Sequence, residues 1–253
     1  MTYSSIIAPK VAEGWVSHQT NLGVNSYDLD ELYSPDTAFQ RSKVLDAVSP
    51  KYSPNKTYIF DRSAYRNHGT ITGATWTRLP SGLWVLSFDG GDYVQVTNAA
   101  SLQLTTAISI EAWVNPSLLG VYGILEKGPF DNNYGDYTLL MQSNGKIRFA
   151  LNASNGLRDA ATALVASVPS HVVATYSTTS QRMKLYINGV KEAVETTYST
   201  AISTSDNNLH VGQYYGAGYH WVGLIGLVRL HGTELSATTI TQHYQQERHL
   251  FGV

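Results

Sequence analysis

The sequence predicts an all-β protein: an antiparallel β-sandwich of the jelly-roll type, with an N-terminal extended arm and a short C-terminal helix. Three observations carry this expectation. From about Ser42 onward, short apolar segments alternate with turn-formers such as Asp89-Gly90-Gly91, Asn98-Ala99, Asn132-Asn133, Asn155-Gly156 and Asp206-Asn207-Asn208. Two Asn-Gly pairs separate runs of strand length. Hydrophobic residues make up 43% of 253 residues, enough for one sizeable core, and all-β sandwiches often reach this length as a single unit.

Residues 1–41 read as the arm. They hold Pro9, Gly14, Gly23 and Pro35 among scattered Tyr and Trp15, and only Leu29–Tyr33 has a helical pattern. A segment of this kind needs a partner to hold it, either its own domain or another subunit. Residues 42–253 read as the sandwich domain. Within it, Asn144-Gly145 separates Tyr137–Gln142 from Lys146–Leu151, and Asn188-Gly189 separates Met183–Ile187 from Val190–Val194. Both pairs predict type I′ hairpins, because Asn and Gly tolerate positive φ at the turn centre. Ser236 as N-cap, with Ile240 and Tyr244 four apart on one face, predicts a helix over about 237–247. Many short strands with regular turns favour two stacked antiparallel layers. No internal repeat or low-complexity tract interrupts the chain.

Composition excludes several classes. Charged residues are 14%, well under the roughly 25% of an average soluble protein, and polarity comes from Ser, Thr, Asn, Gln and 17 Tyr. The net charge is −2 and no Lys/Arg run offers the basic stripe that phosphate backbones require, so nucleic acid is not an expected partner. With no cysteine, disulfides and thiolate metal sites are absent. No apolar run approaches the roughly 18–20 residues of a membrane span. The first residues lack the basic and apolar regions of a signal peptide. Release by lysis as part of a virus particle is one simple explanation, with the virion surface as the expected location and an extracellular or cell-surface location as the alternative.

Seven segments in order carry a family resemblance over roughly residues 42–245. Phe60-Asp61 leads to Asn67-His68-Gly69-Thr70; Phe88-Asp89-Gly90 is followed by Asp92-Tyr93-Val94; then comes Ile110-Glu111-Ala112-Trp113-Val114-Asn115-Pro116. Ile124–Gly128 and Gly145–Phe149 continue the series. His171–Tyr176 with Leu185-Tyr186-Ile187-Asn188-Gly189, and Gly223–Leu230 with Glu234-Leu235-Ser236, complete it. The chain resembles the laminin-G-like/concanavalin A-like lectin superfamily. That resemblance implies a surface-binding or sugar-binding domain, and in many members a bound calcium. Two departures bear on it. Pro169-Ser170 stands before His171 where the family often has Trp, and Gly226-Leu227 stands where the closing strand usually has Asp-Glu.

The candidate glycan-binding residues are Tyr214, Tyr215, Tyr219 and Trp221, with Tyr122, Tyr134 and Tyr137 (and Phe130) from a second Gly/Asn-rich region. Sugar C–H faces stack on such rings, and neighbouring glycines let the rings adjust. The same amphipathic rings also serve subunit interfaces, and that alternative stays open. Asp61, Asn67, Asp89 and Asp92 are the candidate calcium ligands, since calcium takes several hard oxygens; the alternative is that they cap turns through side-chain-to-backbone bonds. Trp113 reads as a core or sheet-face residue, His68 and His171 as hydrogen-bonded structural residues, and His243 and His249 as surface residues.

Catalysis is not expected. A glycosidase needs two carboxylates about 5–5.5 or 6.5–9.5 Å apart. Glu111 stands alone in its strand, and Glu192 and Glu195 follow a hairpin at the wrong parity. Neither a Gly-x-Ser-x-Gly motif nor a phosphate loop occurs. The expectation is a non-catalytic module binding glycans or a host surface, displayed on a virion as a decoration, spike or receptor-binding protein, with weak single sites strengthened by multiple copies. The competing expectation is a structural virion protein that uses this fold, and residues 1–41, for subunit contacts.

Overall fold

The strand β6 (Ala107–Pro116) shows how the sequence builds the sandwich. Ile108, Ile110, Ala112 and Val114 point to one side and join the main core, while Ser109, Glu111 and Trp113 point to the other. A computed structural model of the chain describes residues 57–61, 63–128, 135–153, 155–214 and 218–253. The arm, Phe130, Tyr134 and Tyr215 lie outside the described residues.

The earlier strands are β1 (Tyr58–Ile59), β2 (Gly69–Thr72), β3 (Thr75–Arg78), β4 (Trp84–Asp89) and β5 (Tyr93–Val96). After β6 come β7 (Tyr122–Lys127), β8 (Tyr137–Met141), β9 (Lys146–Leu151), β10 (Gly156–Ala163), β11 (Ser170–Ser177) and β12 (Arg182–Ile187). The remainder are β13 (Val190–Lys191), β14 (Thr196–Thr197), β15 (Leu209–Val211), β16 (Gln213–Tyr214), β17 (Tyr219–His220) and β18 (Val222–His231), followed by the helix α1 (Ala237–Glu247).

One sheet runs β1-β2-β5-β15-β7-β8-β9-β10; the other runs β13-β12-β11-β6-β18-β4-β3, with β14 paired to β12. All the pairings are antiparallel. Val94, Val96, Leu125, Leu139, Phe149, Leu209 and Val211 of the first sheet meet Leu86, Phe88, Ile110, Ala112, Val172, Ala174, Leu185 and Ile225 of the second in one core. The short β16–β17 hairpin follows directly on β15 and sits against β7, where the backbone of Gln213 and Tyr214 leaves no room for a side chain at Gly123.

Helix α1 begins and ends where the sequence predicts. The Ser236 side chain accepts a hydrogen bond from Thr239 N, and Ile240 is buried with Val173 and Tyr186 on the outer face of the second sheet. The second sheet is therefore covered on both faces at this end.

Only one Asn-Gly hairpin is type I′. Asn188 and Gly189 have φ of 53° and 76°, the paired positive values that turn requires. At the other, Gly145 has φ of 79° but Asn144 is not left-handed. Gly145 N donates to Gln142 O, and Gln142 N donates to Lys146 O. This is a type I turn closed by a glycine bulge, one residue longer than the predicted hairpin.

In β18, Gly226 faces Trp113 while Arg229 faces Glu111. Leu227 and Val228 on one strand oppose Ala112 alone on the other, which is a β-bulge. Leu227, with φ of 47°, is the strained position. The bulge puts Leu227 in a small outer cluster with Leu83, Val85, Trp113 and Leu250. The positions where the family usually has Asp-Glu are here apolar and packed.

Candidate functional site

Register across the first sheet sets a polar row on its outer face. Thr70, Gln95, His210, Glu126 and Thr138 lie side by side on β2, β5, β15, β7 and β8. Each alternates with an inward apolar neighbour, so one pleat separates core from site. Tyr93, two residues from Gln95, shares this face. Its ring centroid is 5.8 Å from that of His210 and 6.0 Å from that of His220. His210 Nε2 is 3.3 Å from Gln95 Oε1. His220 Nδ1 is 3.0 Å from Asp92 O, which fixes the ring of β17 against the β4–β5 turn.

The β16–β17 hairpin adds a second pair of rings beside the first. Tyr214 and Tyr219 face each other across the ladder, with centroids 5.6 Å apart. Tyr219 is 38% exposed and Tyr93 and Gln95 are half-buried, so this corner presents ring faces and amide groups to solvent. Burial pushes the His210 imidazole down to about 4. It is neutral at physiological pH, and it is buried, with Nε2 against Gln95.

The structure sorts the sequence-predicted rings into three groups. Tyr214 and Tyr219 pair as described, and Tyr122 lies at the same end, because β7 begins there beside β16. Tyr137 is a correction. It pairs with Lys127 at the far end of β7, is completely buried, and donates its hydroxyl to Leu102 O. Trp221 is also a correction: it is 0% exposed and belongs to the main core, edge-on to Tyr122 at 6.3 Å. Neither ring can stack on a ligand without unfolding. Tyr134 and Tyr215 fall outside the described residues.

The four candidate calcium ligands do not converge. Gly69 pairs with Val96 and Thr72 with Tyr93, so the Asp61–Asn67 turn and the Asp89–Asp92 turn cap opposite ends of β5, about 10 Å of strand apart. Each set serves its own turn. The Asp61 carboxylate accepts from Ser63 N (2.8 Å), Ser63 Oγ (2.9 Å) and Asn67 N (2.7 Å). Asn67 bonds Ser101 through its side chain. Asp92 accepts from Asp89 N and Asp89 accepts from Gly91 N, both at 2.9 Å. The turn-capping alternative describes Asp61, Asp89 and Asp92, while the Asn67 side chain ties its turn to Ser101.

A second constellation lies under α1 and was not assembled from the sequence. Glu111, fully buried, accepts from Arg229 at 3.2 Å and lies 2.8, 3.3 and 2.9 Å from His171, His231 and His243. Glu247 of α1 accepts from both terminal nitrogens of Arg229 and, at 2.8 Å, from Trp113 Nε1. Burial would raise the Glu111 carboxyl, but Arg229 and the three imidazoles outweigh it and hold the group well below its ordinary value. Burial pushes His231 down.

Glu111, His171 and Glu247 have donor atoms close enough for a shared cation. Arg229 already bridges the two carboxylates, so the place a cation would take is filled by a guanidinium. The cluster reads as a structural clamp between sheet and helix. His243, expected on the surface, is 4% exposed here. The signal was present: residues 240, 243, 244 and 247 are spaced as one helix face, so His243 shares the buried side of Ile240.

The two stacked antiparallel layers define a concanavalin A-like β-sandwich. The chain belongs to the concanavalin A-like lectin/glucanases superfamily, whose family model matches residues 88–241, more than half of the sequence. No curated protein sequence matches it. Among solved structures, the chain is similar to the binding domain of botulinum neurotoxin DC in complex with rat synaptotagmin II, with a TM-score of 0.61 and 17% identity over 83% of this chain and 52% of that one. It is similar to a structure of botulinum neurotoxin type C, whose cell entry is dependent upon interaction with two ganglioside molecules, with a TM-score of 0.61 and 16% identity over 82% and 52%. Domain 4 of a GH43 extracellular arabinanase from Geobacillus stearothermophilus, in complex with arabinotriose, gives a TM-score of 0.58 and 16% identity over 80% and 98%. The chain thus spans about half the length of the neurotoxin binding domains it matches, and these likenesses concern the fold.

Proposed function

We propose that this chain is a non-catalytic binding module that takes a neutral glycan at the corner formed by Tyr93, Gln95, His210, His220 and Tyr219. The observation that carries the reading is the run of rings Tyr93–His210 and Tyr93–His220, at 5.8 and 6.0 Å, beside the Tyr214–Tyr219 pair. Ring faces suit sugar C–H faces, and the half-buried amide of Gln95, backed by the neutral imidazole of His210, suits hydroxyls. The arabinotriose in complex with domain 4 of the arabinanase, and the two ganglioside molecules on which cell entry of botulinum neurotoxin type C depends, support a sugar ligand.

Paired-acid catalysis has no support on this face. Among the described residues its carboxylates are Glu126 and Asp159. They sit three strands apart, about 14 Å by strand spacing, beyond the roughly 5–9.5 Å a glycosidase spans. Asp159 is also held by two hydrogen bonds from Arg148, at 2.7 and 2.8 Å.

A glycan array with the wild-type chain, Tyr93→Ala and Tyr219→Ala tests the reading. Binding by the wild type that both variants lose supports it. An array with no bound glycan, or variants that bind unchanged, removes it. Display on a virus particle, with residues 1–41 joining neighbouring subunits, is the setting suggested by the low charge and the long arm. Electron microscopy of the full chain, looking for assemblies, tests it.

A further inference from the structure

Three connections meet at the end of the sandwich that carries the Tyr93 corner. They are residues 117–121 between β6 and β7, 142–145 between β8 and β9, and 164–169 between β10 and β11. Backbone bonds fasten them together. Ser117 N donates to Val222 O at 2.9 Å, Ser167 N to Pro116 O at 2.6 Å and Leu164 N to Gly145 O at 2.8 Å. Val222 pairs with Asp89, and His220, two residues earlier, has its Nδ1 3.0 Å from Asp92 O. The tips therefore adjoin the corner.

These tips are apolar. Leu118 is 59% exposed, Leu119 43%, Val165 61% and Val168 42%. Single apolar side chains are ordinary on a surface, but four on adjoining tips mark a contact with another apolar body. Residues 112–125 and 160–170 contain no Asp, Glu, Lys or Arg. Behind the leucines come Tyr122, which opens β7, and Tyr219, 38% exposed. Gln95 and the rest of the corner follow. Aliphatic tips, then tyrosines, then hydroxyl-binding groups match the order of hydrocarbon, interface and head group in a bilayer. Asp89, exposed on the neighbouring turn, opposes an anionic leaflet, and the tips carry no cation to attract one.

We propose that Leu118, Leu119, Val165 and Val168 insert into a lipid bilayer of no net charge, turning the Tyr93 corner towards the sugar head group of a glycolipid. The choice of head group rests on the glycan reading; insertion of the tips does not. The backbone bonds that fasten the tips hold them in place before contact, so little ordering entropy is lost on insertion.

Sedimentation of the full chain with phosphatidylcholine vesicles, with and without neutral glycosphingolipids (glucosyl-, lactosyl- and globosylceramide), tests this. The wild type should sediment with both, more strongly with the glycosphingolipids, and added salt should leave binding unchanged. The double variant Leu118→Asp with Leu119→Asp should bind vesicles roughly 10- to 100-fold more weakly. It should keep the wild-type melting midpoint and glycan-array profile, because both side chains are exposed. Sedimentation that the double variant retains, or a wild type that stays in the supernatant with both vesicles, would overturn insertion. So would a wild-type dimer that the double variant turns into a monomer while neither binds vesicles, which would assign the tips to a contact between copies. Vesicle binding with no gain from glycosphingolipid would remove the glycolipid head group and leave insertion standing. A silent glycan array bears on the glycan reading alone.

Discussion

Trp113 Nε1 donates to Glu247 Oε2 at 2.8 Å, joining the central strand of the second sheet to the last turn of α1. The same carboxylate receives Arg229, which also reaches Glu111. Removing one partner of a buried ion pair leaves the other charged and unsolvated, which costs about 3–5 kcal/mol. Glu247→Ala should therefore lower unfolding free energy by about that amount in urea melts. The exposed pair Lys191–Glu195 is the control. Glu195→Ala should cost less than about 1 kcal/mol.

Acid should destabilise the protein in two stages. His210 has a folded pKa of about 4 against about 6.5 when unfolded. The unfolded state takes up its proton first, so stability is lost as pH falls from about 6.5 towards 4, on the order of 2–3 kcal/mol for this group. His231, lowered by burial, acts in the same direction. Glu111, held well below its ordinary value, contributes stability above about pH 4.5 that disappears at lower pH as it protonates. Melts from pH 8 to 3 should show the decline begin near 6.5, and His210→Gln should flatten its upper part. A profile rising towards pH 5 would contradict the buried neutral imidazole.

Core and corner aromatics should separate cleanly on mutation. Trp221→Ala, at a fully buried ring, should cost about 3–5 kcal/mol. Tyr137→Phe should cost about 1 kcal/mol through the lost bond to Leu102 O and leave ligand binding unchanged. Tyr219→Ala should leave the thermal midpoint within a few degrees while removing glycan binding.

Calcium should not shift the melting transition, because Asp61 and Asn67 cap one end of β5 and Asp89 and Asp92 cap the other. Asp61→Ala should still destabilise by about 1–3 kcal/mol, since the buried N–H groups of Ser63 and Asn67 lose their acceptor. A rise in midpoint with millimolar calcium that Asp61→Ala abolishes would restore the metal reading.

The sandwich and α1 were legible because both rest on local signals. Alternation in β6, the paired positive φ of Asn188-Gly189 and the Ser236 cap each act within a few residues. The corner was only half legible. Tyr214 and Tyr219 are close in sequence, but Tyr93 and His210 meet across a ladder between strands more than a hundred residues apart, which no spacing rule reveals. Trp221 was misplaced because a Gly/Tyr-rich neighbourhood reads as a loop, whereas one residue beyond His220 the chain turns into the core. The clamp stayed hidden because Glu111 is the one charged residue of its own strand. Its partners arrive from β11, β18 and α1.

The order of strands has a consequence for synthesis. β15 lies between β5 and β7, and β18 lies between β4 and β6. On the ribosome, the first layer cannot close until Val211 has emerged, and the second not until His231 has. A nascent chain ending before β15 carries two unzipped seams in the middle of its sheets, and one ending before β18 still carries one. Such seams invite pairing with other chains, so interrupted translation products of this protein should be markedly more prone to clump than the finished chain.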